Sequence, residues 1–295
     1  MQRLFESYLP DGAPAGVDSR TPCGPELESQ VLAALLQQAS DVDPALLRQY
    51  QSIVGALLYC ATNTRPDVAF SVAMLCRAMA RPTPALLTAA RRVLCYLHAT
   101  RDLGLRYERS EERLYGMSDS NWATRHSTSG HVFMQNRAAI SWSSKKQATV
   151  ALSSCEAEIV AASEAAREAV HLTRLATELG LHDGTSIDLH VDNKSAIDVA
   201  YNPEHRTAMK HVDRRHFYVR ELVENHRLRV PFVATVNNIA DFFTKALPPK
   251  QFEAMRDRIM NVPPERCAIR VVKVPPLGAT GGSCGVPALV HAVTA

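Results

Sequence analysis

"AISWSSKKQATVALSSCEAEIVA", residues 139–161, changes its hydrophobic period partway along. Up to Lys146 it alternates as a strand does, and from Ser153 it carries apolar residues at helical spacing. Ser153 followed three residues later by Glu156 is a capping box, in which the serine oxygen accepts from an early helix N–H and the glutamate reaches back to the cap N–H. Glu156 therefore has a structural role at the start of a helix expected over 154–180. Glu158 lies about 200° further round that helix, in line with Ala162, Ala165, Ala169 and Leu172, the face that must cover a sheet. A carboxylate on that face calls for a cation, from the protein or as a bound metal. The alternative is a frayed first turn reaching water, where a glutamate also favours the helix dipole.

Working outward, "GHVFMQ" and "AAISWSS" form a hairpin turning at Gln135, Asn136 and Arg137, and "LGLRYE" and "RLYGMSD" alternate as strands on either side of the polar "RSEE". "SIDLHVD" and "RLRVPFVAT" are further strands. Helices are expected at 193–201, about 209–227 and 238–247, between and after these strands. Strands first and βα alternation afterwards predict an α/β fold, a mixed sheet flanked by helices on both faces. Before it, residues 45–98 hold three helices, the later two announced by Thr64, Pro66 and Asp67 and by Thr83 and Pro84. Residues 10–26 collect Pro, Gly and small polar residues and are expected to be flexible, as is the Pro- and Gly-interrupted tail after about 262.

Hydrophobic residues make up 46% of 295, enough for a substantial core. No apolar run reaches the length of a membrane span, and "MQRLFESYLPDG" lacks the features of a secretory signal, so an intracellular, non-membrane protein is expected. Seven scattered cysteines with no CxxC pair suggest neither a disulfide framework nor a zinc ribbon. A net charge of +3 says little about partners, so any nucleic-acid surface must come from local clusters.

Three more acids share the placement of Glu158 at element ends. Asp119 closes "RLYGMSD", Asp192 closes "SIDLHVD", and Asp241 lies in the first turn of "NIADFFTKAL". Acids at strand ends can converge on one rim and there make a site for a hard cation. Each also has an ordinary alternative: Asp192 as the cap before "NKSAI", Asp241 as a favourable charge at a helix start.

The segment from about 48 to 261 resembles the C-terminal part of copia-type LTR retrotransposon polyproteins, the end of the reverse transcriptase followed by its ribonuclease H domain. The motifs are "YQSIVGALLYCATNTRPDVAFSV", "MSDSNWA", "STSGHVF", "AISWSSKKQATVALSSCEAEIVA", "HVDNKSAI", "KHVDRRHFYVREL" and "ADFFTKALP", in the family's order. The resemblance implies a ribonuclease H-like five-stranded sheet over 103–262. It also implies a thumb or tether remnant over 45–102, while composition makes 1–44 a flexible entry segment and 263–295 a disordered tail. Its catalytic carboxylates fall on Asp119, Glu158, Asp192 and Asp241. They imply two magnesium ions, with manganese an alternative, Asp119 bridging both, Glu158 and Asp192 completing one site and Asp241 the other.

The activity implied is hydrolysis of the RNA strand of RNA–DNA hybrids during reverse transcription, with metal-bound water as nucleophile. His211 and His216, five apart, make no helical metal pair, and "TVNNIAD" has no histidine before its aspartate. Reading a hybrid needs cations beside the acids, and the candidates are Lys145, Lys146, Lys210 and Arg214; the alternative is a solvated helix face. Trp122 could grip a sugar, whereas Trp142 is expected in the core. Asn121 stands where the family commonly has aspartate. The polymerase palm and its paired aspartates are absent, so palm and fingers are partners only within a longer polyprotein. A rival reading is a nucleic-acid-binding remnant that no longer cuts. An integrase is a further one, against which the motif order argues.

Overall fold

The computed structural model describes residues 2–9, 19–38, 42–122, 126–181, 184–201 and 214–263. Five strands form one mixed sheet: β1 Tyr115–Asn121, β2 Thr128–Gln135, β3 Ala138–Lys146, β4 Ile187–His190 and β5 Leu228–Arg229, in the order β3-β2-β1-β4-β5. The first three pair antiparallel, while β4 and β5 run parallel to β1. This is the ribonuclease H-like α/β sheet that the sequence predicts. The β2–β3 turn falls where expected, with Asn136 and Arg137 both at positive φ, the twist a two-residue hairpin requires.

Helices cover both faces because the strands are apolar on both. Val132 and Met134 point to one core and Phe133, between them, to the other. Helix α6, Ser154–Glu178, and helices α7, Lys194–Tyr201, and α8, Arg214–Glu224, cover the Phe133 side. Opposite lie α1 Gln2–Tyr8, α2 Leu27–Leu35, α3 Pro44–Asn63, α4 Ala69–Cys76, α5 Pro84–Ala99 and α9 Pro249–Met260. Asp43 and Thr83 cap α3 and α5 through their side-chain oxygens, with Pro44 and Pro84 at the first helical positions.

Several expectations need correction. Residues 1–44 are not simply flexible: α2 buries Leu27, Val31 and Ala34, a helical stripe that the surrounding Pro and Gly disguised. Residues 45–102 are not a separate unit either, since one continuous core joins them to Val132, Phe243 and Ile259. Trp142 takes part in that junction, donating from Nε1 to the Ala61 carbonyl at 2.7 Å. "LGLRYE" joins no strand; its alternation reflects Leu103 and Leu105 packing on the core, and its backbone bonds go to Met260 and Asn136. Of "RLRVPFVAT" only Leu228 and Arg229 form the strand β5; past Pro231, which has no N–H to donate, the pairing resumes as a single bridge between Phe232 and Val191.

Thr64 closes α3 rather than opening a helix, and Pro66–Val68 is a 3-10 turn. The helix expected at 238–247 is a 3-10 turn over Ile239–Phe243, and that expected at 209–227 is described as α8 alone. Helix α9 was not foreseen, although Phe252, Met255, Ile259 and Met260 carry its helical spacing. The tail beyond 263 lies outside the described residues. Among the described residues no helix is long and apolar enough to cross a membrane, and the five cysteines are free.

Candidate functional site

Parallel pairing brings the first two acids together. The β1–β4 register pairs Tyr115 with Asp188 and Met117 with His190; continued by two residues, it sets Asp119 beside Asp192, on chains about 4.8 Å apart. Helix α6 lies across β1 and lowers Glu158 onto the same rim. Among the described residues, Asp119, Glu158 and Asp192 form a group whose ligand oxygens lie within 4.8 Å of one another.

The ordinary alternatives fail on particular contacts. Asn193, not Asp192, caps α7, its Oδ1 accepting from Ala196 N at 3.1 Å. Ser153 accepts from Glu156 N at 3.1 Å as expected, but the Glu156 carboxylate reaches the Leu152 N–H at 2.7 Å instead of the cap's own. Glu158 is only 6% exposed, so the first turn is not frayed. Its Oε1 accepts from Ser120 N at 3.2 Å, and its Oε2 is buried without a hydrogen-bond partner.

Asp241 stands next to this group rather than within it. It is 2% exposed, with Oδ2 at 2.8 Å from Lys245 Nζ and Oδ1 buried without a hydrogen bond. Asn238 places it, accepting from Ala240 N at 3.1 Å and donating to Ser118 O at 3.0 Å, so the 3-10 turn is hooked to the residue before Asp119. Thr244 Oγ1 donates to Asp119 Oδ2 and completes the link. Buried Gln147 does the same for the other arm, bonding Ser129 at 3.0 Å and the Ala157 carbonyl at 2.9 Å. Sequence reasoning missed Asn238, Thr244 and Gln147; the one local signal was a polar residue close to an apolar run in "NNIADFFTKAL" and "KKQATVAL".

Gly130, the β2 partner of Asp119, is required by this junction. A Cβ there would sit 2.7 Å from Thr244 Cγ2 and 2.9 Å from Phe243 Cβ. Gly130→Ala is expected to push the 3-10 turn off the sheet at about 1–3 kcal/mol, read as a lower denaturant midpoint; an unchanged midpoint would mean the turn gives way freely.

Crowded carboxylates resist ionisation. Burial, then the charge of Asp241, raises Asp119 to about 7, and burial, then Asp119 and Asp192, raises Glu158 to about 8. Burial works against the Lys245 ammonium, but its bond to Asp241 and the acid charges around it hold its pKa above the usual value. An unfolded carboxyl titrates near 4, so the folded chain binds more protons between about pH 4 and 8. The stability these two acids contribute is therefore full below about pH 4 and is lost as pH rises to about 8. Melting temperatures of the metal-free chain between pH 5 and 8 should fall more steeply than those of Glu158→Gln; parallel curves would contradict the crowding.

The donor set fits a hard divalent cation. It is all oxygen, Glu158 Oε2 within it and Asp241 Oδ1 beside it are buried without a hydrogen-bond partner, and magnesium or manganese takes such ligands. Of the expected cations, Lys145 and Lys146 are exposed at the end of the edge strand β3. Lys210 and His211 lie outside the described residues, as do the side chains of Arg214 and His216. Trp122 is 53% exposed, its Nε1 donating to Ala151 O at 3.1 Å.

No family model matches the chain. It is 36% identical over 214 residues to the retrovirus-related Pol polyprotein from transposon TNT 1-94 of Nicotiana tabacum, a match covering 71% of this chain and 16% of that protein. To the Pol polyprotein from transposon RE2 of Arabidopsis thaliana it is 34% identical over 242 residues, 80% of this chain and 16% of the relative. A secreted RxLR effector protein 161 of Plasmopara viticola is 47% identical over 129 residues, 42% of this chain and 91% of that protein. Among solved structures, the N-terminal ribonuclease H domain of Rv2228c from Mycobacterium tuberculosis, solved as a maltose-binding-protein fusion, aligns at TM-score 0.32 and 14% identity, covering 48% of this chain and 94% of that one. The fold rests on the strand order itself, and the chain spans about a sixth of the length of the two Pol polyproteins. Over 71–80% of its length the chain is thus homologous to part of the Pol polyproteins of copia-type retrotransposons.

Proposed function

We propose that this chain is a metal-dependent endoribonuclease that hydrolyses the RNA strand of RNA–DNA hybrids during reverse transcription. The observation that carries the reading is the gathering of Asp119, Glu158 and Asp192 within 4.8 Å, with Asp241 alongside. Carboxylates so placed are unfavourable unless a cation joins them. Magnesium or manganese held there would supply Lewis acidity, making a bound water nucleophilic and stabilising the leaving oxygen.

The chain's own residues divide the remaining work. Asp119, oriented by Thr244, would hold such an ion together with Glu158 and Asp192, and Asp241, now paired with Lys245, would be the carboxylate nearest to hand for a second one. No side chain is required as nucleophile, so the histidines have no chemical step. Lys145 and Lys146, with Lys210 and Arg214, take phosphates of the hybrid, giving a salt-sensitive affinity. Polymerase palm and fingers are the partners within a full polyprotein.

A second reading, a nucleic-acid-binding remnant without cleavage, is favoured by one feature: Lys245 already neutralises Asp241. The purified chain, given a labelled hybrid and magnesium beside duplex DNA, separates the two. Cutting confined to the RNA of the hybrid supports the nuclease; salt-sensitive binding without cutting supports the remnant.

A further inference from the structure

Arg77 follows the last turn of α4, in the helical half of the chain, yet its guanidinium reaches the sheet. Nη2 donates to Thr128 Oγ1 at 2.9 Å, while Nε is buried with no hydrogen-bond partner. Thr128 opens β2 and pairs with Asn121 of β1 on one side and Lys146 of β3 on the other. Asp119 pairs with Gly130, two residues further along the same strand. Arg77 therefore lands on the acidic rim, about one strand across and about 7 Å along from Asp119.

His126 stands beside it with Nδ1 buried and also without a hydrogen bond, and Arg77, His126 and Lys146 line one cleft of about 710 Å³. Three nitrogen-bearing side chains thus converge from two parts of the chain, with only one bond of the Arg77 fork used by the sheet. A guanidinium presents five donors in a fixed fork that matches a phosphate. Glu28 lines the same cleft near enough for its charge to act on Arg77, and apolar side chains of α2 with Met74 and Val150 line the rest, so the nitrogen-bearing groups make only part of its wall.

We propose that Arg77, His126 and Lys146 form a phosphate subsite for the nucleic-acid backbone beside the acidic group. The inference rests on the hybrid-cleaving reading and deepens it: the helical half becomes part of the substrate surface, not only a support for the sheet. A strand that places one phosphodiester at Asp119 continues over Thr128 and meets the Arg77 fork. Arg77 is then a binding residue contributed from outside the sheet.

The test is fluorescence anisotropy of the full chain with a labelled RNA–DNA hybrid in metal-free buffer, where nothing is cut, over a series of salt concentrations. Arg77→Gln is expected to weaken binding about 5- to 10-fold and to reduce the salt slope by about one. Arg77→Lys should restore the slope, and Glu28→Gln should tighten binding. Because Arg77→Gln also removes a bond to Thr128, Lys146→Gln, at an exposed position, is measured beside it and is expected to reduce the slope by the same amount. If both Gln variants bind with the parent's affinity and slope, the subsite is overturned. Failure of the unaltered chain to bind the hybrid at all would instead remove the nuclease reading on which the subsite depends.

Discussion

Asp119→Asn is expected to abolish cleavage of an RNA–DNA hybrid while making the metal-free chain more stable. The two effects have one cause. Asp119 is buried at 5% exposure among three other acids, and its carboxyl is raised to about 7 by burial and by Asp241. Holding it ionised above that pH costs on the order of 2–4 kcal/mol, which asparagine, of the same shape, does not incur. Thr244 keeps an acceptor, since the amide oxygen replaces Oδ2. The same exchange removes the charge that a divalent ion needs at the centre of the group, so the rate should fall at least about 1000-fold, about 4 kcal/mol of barrier.

Melting curves at pH 8 without metal, and hybrid cleavage with magnesium, check both halves. For the parent chain, magnesium at about 100 times its dissociation constant should add roughly 2.7 kcal/mol of stability; Asp119→Asn should lose most of that gain. An Asn variant less stable than the parent without metal would show that Asp119 is satisfied by the protein and that the site is no cation-binding cluster.

The second large effect lies far from the acids. Arg65 is 1% exposed and bonds Asp67 through two nitrogens, Nε to Oδ1 at 2.9 Å and Nη2 to Oδ2 at 2.6 Å. Its Nη1 donates to the Thr100 carbonyl at 3.1 Å, and Tyr96 donates to Asp67 Oδ2 at 2.6 Å. The pair closes the end of α3 onto the end of α5, and the charge of Arg256 on α9 reaches Asp67 too. Arg65→Ala leaves an ionised or reprotonated carboxyl buried and empties the space of the largest fully buried side chain. A loss of about 3–5 kcal/mol is expected, measured as the shift in denaturant midpoint at constant slope.

Arg65→Met with Asp67→Leu removes both charges and keeps the volume, and it should recover most of that loss. If Arg65→Ala alone costs less than about 1 kcal/mol, water must reach Asp67. Because one core runs from these helices to Phe243 and Ile259, the Arg65→Ala chain should also lose magnesium binding as it unfolds, not before.

Part of the acidic cluster is legible in the sequence. Glu158 was separable from Glu156 because one angle on a helix places it on the sheet-facing side, and burial at 6% agrees. Asp119 and Asp192 were marked by their positions at strand ends. Their ordinary alternatives could not be dismissed from sequence, since whether Asp192 or Asn193 caps α7 depends on a bond of 3.1 Å that residue order does not specify. Arg77 gave no local signal, as its partner lies 51 residues away.

Local errors had a common origin. "LGLRYE" alternates as a strand would, yet its neighbours are α9 and the β2–β3 turn, and alternation cannot say what a segment meets. Helix α2 is masked by flanking prolines, and α9 by the turn residues around it, although both carry buried apolar residues at helical spacing.

What the sequence determined by itself is what depends on near neighbours: the capped helices, the hairpin with Asn136 and Arg137 at its turn, the apolar faces, and the identity of the acids. Tertiary structure decided what depends on distant chain segments meeting. Parallel β1–β4 pairing set Asp119 beside Asp192, Asn238 hooked Asp241 to β1, and a single core fused the helical half to the sheet. Hydrophobic burial is non-directional, so a pattern of residues can require a partner surface without naming it; only the closed fold names it.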